Sequence, residues 1–265
     1  MKTAILLVAY GTSSPQGRGS LRQFDAWVRE RFPGICVRWA LSSELLRTRL
    51  TRARQKNDSV LKALRRLRLE NFTHVAVQPL QIIPGSEHTD VRADADEAGR
   101  LDGLHVSIGT PLLACDEDIR AAARAVLAHL PEERRADEDV VLMGHGSRQQ
   151  AVTAYAALAG AVQALDARVH VGTMSGALEL DALLPRLTSR RVWLMPLLSV
   201  VGRHTLEDMA GDAPDSWRSR IEAAGHACAP VVRGTAEYRA FADIWLRHLE
   251  DAVAALPTVK KDEEK

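Results

Sequence analysis

An α/β fold made of two similar, Rossmann-like domains, each a parallel four-stranded sheet flanked by helices with an active-site cleft between them, is predicted by three observations. Short aliphatic segments alternate with helix-patterned ones along the whole chain, the signature of a parallel sheet covered on both faces. The alternation restarts after a polar stretch at residues 131–138. Two strand–loop signatures of the first half also recur in the second.

In the first half, strands are expected near Ala4–Tyr10, Cys36–Leu41, His74–Pro79 and His105–Gly109, each short and β-branched or aliphatic. Between them, Ser20 can cap a helix over Leu21–Phe32, Asp58 or Ser59 can cap Val60–Leu69, and Asp116 opens an Ala-rich helix towards Leu130. Strands recur near Val140–Met143, Val169–Thr173, Val192–Pro196 and Ala227–Val232. With 46% hydrophobic residues and only 5% aromatic ones, the core must be mostly aliphatic.

The repeat goes beyond element type. Ile5-Leu6-Leu7-Val8-Ala9-Tyr10-Gly11-Thr12 parallels Val140-Val141-Leu142-Met143-Gly144-His145-Gly146-Ser147, which puts Tyr10 and His145 at equivalent positions 135 residues apart. Pro79–Glu87 parallels Pro196–His204, matching Glu87 to His204 at an offset of 117. So long a period reads as a duplicated domain rather than a solenoid. Domains are therefore expected at 1–130 and 139–257, the last helix packing back on the first domain, with a charged and disordered tail at 258–265. Doubly wound sheets bind ligands beyond the carboxyl ends of their strands, so Tyr10, Glu87, His145 and His204 should face a shared cleft.

Composition removes several classes. Lys and Arg number 35 against 34 Asp and Glu, so a generally cationic nucleic-acid binder is not expected. No apolar run approaches the roughly 20 residues that span a bilayer, and the apolar start ends directly in Gly11-Thr12-Ser13-Ser14, a first strand rather than a signal peptide. A cytoplasmic protein is expected. Cys36, Cys115 and Cys228 lie far apart without metal-ribbon spacing and read as buried free thiols. Charge is uneven: residues 1–130 carry 19 basic and 14 acidic side chains. The excess concentrates in Arg47, Arg49, Arg52, Arg54, Lys56, Lys62, Arg65, Arg66 and Arg68, either a solvated helical face or a set of forks for a polyanion.

His145, between two glycines at a strand end, suits a base near neutral pH or a neutral imidazole ligand; the glycines leave the ring exposed and let backbone approach a ligand. His204 stands at an expected helix start after a strongly apolar strand, and two imidazoles with a carboxylate suit Co²⁺, Fe²⁺ or Ni²⁺. Glu87 is the nearest carboxylate, and equally a helix N-terminal acid. The loop Gly11–Gly17 can turn backbone N–H groups to an anion but lacks P-loop spacing, and Gly144-His145-Gly146-Ser147 lacks the hydrolase elbow.

In order, Val8-Ala9-Tyr10-Gly11-Thr12-Ser13, Pro79–Glu87, Ile108-Gly109-Thr110-Pro111-Leu112-Leu113, Met143-Gly144-His145-Gly146, Leu194-Met195-Pro196-Leu197, and His204 with Asp208-Met209-Ala210 and Asp215-Ser216-Trp217 resemble the sirohydrochlorin cobaltochelatases of the anaerobic cobalamin pathway, CbiK type, in the class II chelatase superfamily. The resemblance covers about residues 3–255. It implies two chelatase-like domains with the macrocycle between them, and ATP-independent insertion of Co²⁺ into sirohydrochlorin with release of two protons. It implies no organic cofactor, and no nucleic acid or membrane partner. By residue, His145 matches the family's proton acceptor and metal ligand, His204 its second histidine and Glu87 an acidic residue of the cleft. Tyr10, Gly11, Thr12, Ser13 and Arg203 are the expected substrate contacts, with Arg49 and Arg52 as further partners for the macrocycle's carboxylates. In one departure, Ser175 stands where the family carries a metal-binding glutamate; Glu87 or Glu179 would have to compensate, or the site is weaker. A sirohydrochlorin ferrochelatase using Fe²⁺, or a non-catalytic Co²⁺/Ni²⁺ carrier, are the competing readings, and the sequence leaves the oligomeric state open, a homo-oligomer included.

Overall fold

The computed structural model describes residues 2–55, 57–100, 103–146, 151–176 and 178–257, with Ala151 and Val152 as main chain alone. Lys56, Ser147 and the tail from 258 lie outside the described residues. The first half runs β1 (Thr3–Ala9), α1 (Pro15–Arg31), β2 (Cys36–Leu41), α2 (Glu44–Arg52), α3 (Val60–Leu69), β3 (His74–Pro79), α4 (Ser86–Gly99), β4 (His105–Ile108) and α5 (Asp116–Ala128). The second runs β5 (Asp139–Gly144), α6 (Ala151–Leu165), β6 (Val169–Thr173), α7 (Leu180–Leu183), β7 (Arg191–Leu197), α8 (Trp217–Ala223), β8 (Ala227–Pro230) and α9 (Arg239–Ala254). A π-helical turn, His204–Met209, follows β7.

Each half forms one parallel four-stranded sheet, ordered β2-β1-β3-β4 and β6-β5-β7-β8. The two orders are the same. In each, the chain steps to one side after the first strand and returns past it, so the switch point lies between β1 and β3 and between β5 and β7. The central strands are buried on both faces, as parallel sheets require: Ala4 through Val8 are all fully buried, and every residue of β3 and β5 is buried.

One core joins the halves. Ile5, Leu7 and Leu80 belong to the same apolar cluster as Leu142, Leu197 and Trp245. Helix α9 leaves the second half and packs against β3, β4 and α5 of the first. Its fully buried Trp245 meets Phe24 of α1 edge-on at 6.0 Å. Beside it, Asp118 of α5, 2% exposed, accepts from His248 Nε2 at 2.9 Å and Arg247 Nη2 at 2.5 Å of α9. No helix among the described residues is long and apolar enough to cross a membrane.

Four local expectations need correction. Helix α1 starts at Pro15, not Leu21, because proline presets the first helical φ and the Ser14 hydroxyl accepts from Gly17 N–H. Ser20 lies inside that helix, its hydroxyl donating to Gln16 O. Residues 131–138 are irregular yet packed: Arg134 pairs with Asp166 at 2.8 Å, and buried Glu138 accepts from Trp193 Nε1 at 2.7 Å. The cysteines are free, but Cys115 is exposed and Cys36 and Cys228 are half-buried. Cys115 occupies the N-cap of α5, a surface position, where its thiol donates to Asp118 at 3.3 Å.

Candidate active site

The four loops that leave the switch-point strands are the loops singled out by the internal repeat. Tyr10 follows β1, Glu87 lies in the first turn of α4 after β3, His145 follows β5, and His204 opens the π-helical turn after β7. The two imidazoles meet edge to face, with ring centroids 5.1 Å apart and an interplanar angle of 76°. Because Gly144 of β5 pairs with Leu197 of β7, this spacing is set by adjacent strands of one sheet.

Each ring has one nitrogen engaged. His145 Nδ1 faces its neighbour's carbonyl, Gly146 O, at 3.2 Å; His204 Nδ1 lies 2.5 Å from Asp208 Oδ2. The Nε2 atoms are the ones left for an ion. Half-buried Glu87 stands across from both rings: burial pushes its carboxyl above the ordinary value, and the charges of His145 and His204 pull it back only in part. It is thus both the first-turn acid of α4 and the carboxylate facing the histidines. Among the described residues, no three His, Cys, Asp or Glu side chains converge as a metal site.

His145 is exposed, as expected, and the glycines flanking it also have packing causes that the sequence did not show. A Cβ on Gly144 would lie 2.5 Å from Tyr155 Cε1, and one on Gly146 would lie 2.2 Å from Ser175 O. Gly146 also takes φ +81°, where side chains are rarely accommodated. Tyr155, buried on α6, has its hydroxyl pushed to a higher pKa by burial, although the N–H groups of Gly146 and His145 favour its ionised form. It is the floor on which the His145 loop rests, and nothing in the Ala-rich α6 sequence marks it.

The other expected residues fall into distinct settings. Tyr10 is 44% exposed at the end of β1. Gly11 has φ +105° and packs where a Cβ would strike Leu46. Buried Thr12 has its hydroxyl committed, donating to Val201 O at 2.8 Å and accepting from Ser14 N–H at 3.0 Å, so it ties the first-half loop to the His204 loop. Exposed Ser13 accepts from Arg18 Nη1 through its carbonyl. Exposed Arg203 is paired with Glu207 at 2.8 Å. Ser175 O packs against Gly146, next to His145, while Glu179 occupies the N-cap position of α7.

Much of the basic run is internally spent. Arg47 donates to Leu41 O and Ser42 O, Lys62 and Arg66 pair with Asp58, and Arg65 pairs with Glu97. Arg49 and Arg52 of α2 make no ion pair among the described residues.

A family profile described as cobalt chelatase (CbiK) matches residues 3–254, nearly the whole of both halves. The chain belongs to the cobalt chelatase CbiK family. It is 55% identical over 259 residues to the sirohydrochlorin cobaltochelatase CbiKC of Nitratidesulfovibrio vulgaris, covering 96% of this chain and 92% of that one. It is 31% identical to the sirohydrochlorin cobaltochelatase of Salmonella typhimurium, covering 96% and 97%. The crystal structure of SirB from Bacillus subtilis with Fe³⁺ superposes with a TM-score of 0.66 at 16% identity over 96% of each chain, a likeness of fold. The two-sheet architecture is therefore the chelatase fold, and this CbiK-family chain places its paired histidines at the strand ends where the two halves face each other.

Proposed function

We propose that this chain is a sirohydrochlorin cobaltochelatase, inserting Co²⁺ into sirohydrochlorin without ATP and releasing both pyrrolic protons. The observation that carries the reading is the pair of imidazoles 5.1 Å apart, each with Nδ1 engaged, facing a half-buried carboxylate from the other half of a CbiK-family chain. Insertion needs two things of a protein: a weakly held divalent ion whose water can be exchanged for ring nitrogens, and a base for the pyrrolic protons. Neutral imidazoles supply both. His145 takes the proton and delivers the ion, His204 co-ligates, and Glu87 assists proton acceptance from the opposite wall.

Co²⁺ is here a substrate, and the absence of a closed three-ligand cluster among the described residues suits an ion that must leave. Ser175 brings no carboxylate to the histidines, so the ion is held by imidazole nitrogen and by water or macrocycle. The exposed Tyr10 and Ser13, the Gly11–Thr12 backbone, and Arg49, Arg52 and Arg203 surround the carboxylate-rich macrocycle; Arg203 would exchange Glu207 for it. The protein works in the cytoplasm with sirohydrochlorin as its one organic partner.

Purified protein, sirohydrochlorin and Co²⁺ or Fe²⁺ in turn, followed through the macrocycle's absorption, test the reading. Co²⁺ insertion without ATP is expected, and its loss in His145→Ala with the fold retained. No spectral change with either ion would reject chelation; insertion of Fe²⁺ alone would move the chain to ferrochelation.

A further inference from the structure

We propose that Asp208 is the positioning residue of this site: its carboxylate holds the His204 ring in the Nδ1–H tautomer, so that Nε2 alone is offered to the incoming ion. The inference rests on the reading of His204 as a cobalt ligand. Asp208 stands four residues after His204 on the π-helical turn, with Oδ2 2.5 Å from Nδ1. An ionised carboxylate only accepts, so Nδ1 carries the hydrogen, and the neutral ring then keeps its lone pair on Nε2. A carboxylate behind an imidazole both orients the ring and strengthens it as a ligand.

The neighbouring residues leave Asp208 to this task. One position earlier, with the same spacing, Arg203 is already paired with Glu207 at 2.8 Å, and no second ion pair of Asp208 is formed among the described residues. His145 offers the contrast. Its Nδ1 faces an uncharged acceptor, Gly146 O, at the longer distance of 3.2 Å. Charge-assisted hydrogen bonds are roughly twice as strong as neutral ones. His204 is therefore the locked member of the pair, and His145 the member able to turn as the ion passes to the macrocycle. A side-chain pair worth only a surface salt bridge would orient nothing, and the two cases separate by experiment.

Long-range proton–nitrogen correlation spectra of histidine-labelled protein read the protonation and tautomer of each ring directly, without substrate. The Nδ1–H form is expected for His204 in the natural chain. Asp208→Asn should retain it, because the carboxamide oxygen still accepts; Asp208→Ala should lose it. Titration with Co²⁺ alone should then show affinity falling roughly 10- to 100-fold in Asp208→Ala and largely restored in Asp208→Asn. An unchanged His204 tautomer in Asp208→Ala overturns the inference. So does Co²⁺ binding that His204→Ala weakens and Asp208→Ala does not. If His204→Ala itself binds Co²⁺ as the natural chain does, the ligand reading fails, and the inference with it.

Discussion

Asp139, at the start of the strand that leads into His145, should make the second half sensitive to acid in a way that can be isolated. It is 1% exposed, and its oxygens accept from Thr188 N–H at 2.9 Å, Ser189 N–H at 2.8 Å and His170 Nε2 at 3.1 Å. Burial pushes its carboxyl up, but the main-chain donors of Ser189 and Thr188, with the His170 ring, outweigh that and hold it down from 3.8 to about 2. A depressed carboxylate contributes stability that is complete above its unfolded-state value and is lost as pH falls towards the folded one. At about 1.4 kcal/mol for each tenfold change in proton affinity, the contribution is about 2 kcal/mol near neutrality, vanishing between about pH 4 and pH 2. Asp139→Asn removes the charge and sets amide hydrogens against the same donors. Urea unfolding of both proteins from about pH 6 down to pH 2 should show a gap of at least about 2 kcal/mol that narrows by most of that amount. All other carboxylates titrate alike in the two proteins, so a gap that stays constant through that range would refute the assignment.

Gly146→Ala should destabilise by about 1–3 kcal/mol and cut cobalt insertion severely, because a φ of +81° and a backbone oxygen 2.2 Å from the new Cβ force the His145 loop to move; thermal unfolding and turnover check it together. Asp118→Ala leaves His248 and Arg247 without their buried acceptor and should cost about 3 kcal/mol, with faster hydrogen exchange in α9 as its local signature. Glu87→Gln should lower turnover while leaving the binding of Co²⁺ alone within about twofold, since both proposed imidazole ligands belong to the other half; equal loss of both quantities would place Glu87 on the metal.

The strands were legible because burial keeps them short and rich in aliphatic residues. Cys36–Leu41, His74–Pro79 and Val169–Thr173 are found at the bounds expected for them. Helix starts were harder, since Ser14 and Ser20 are equally good caps by residue type and only Pro15 distinguishes them. The repeat picked out the four loops that leave the switch-point strands because strand order is repeated with it. What stayed hidden was tertiary: Tyr155 touches Gly144 across a helix–strand interface, and Thr12 reaches Val201 across 189 residues. Asp208 had a visible signal, the four-residue spacing from His204, which gains meaning only once the turn is known to bring both side chains together.

The proposed division of the site between the halves accounts for the uneven charge. Both imidazoles come from adjacent strands of the second sheet, so their spacing does not depend on how the halves sit. That half is also the one with the acidic excess, 20 acidic against 16 basic side chains from residue 131 onward, which favours a cation. Glu87 and the arginines of α2 come from the basic half, which favours a polyanion. The position of Glu87 opposite the histidines does depend on the halves, and it is held by the contacts that cross them: Thr12 to Val201, Gln16 to Val232, and α9 against β3. Two of those acceptors lie in loops of the second half that flank the π-helical turn or the end of β8. On the proposed reading a duplicated fold assigns the metal to one copy and the macrocycle's charge to the other, and the inter-copy ties bring Glu87 to the face that carries His145 and His204.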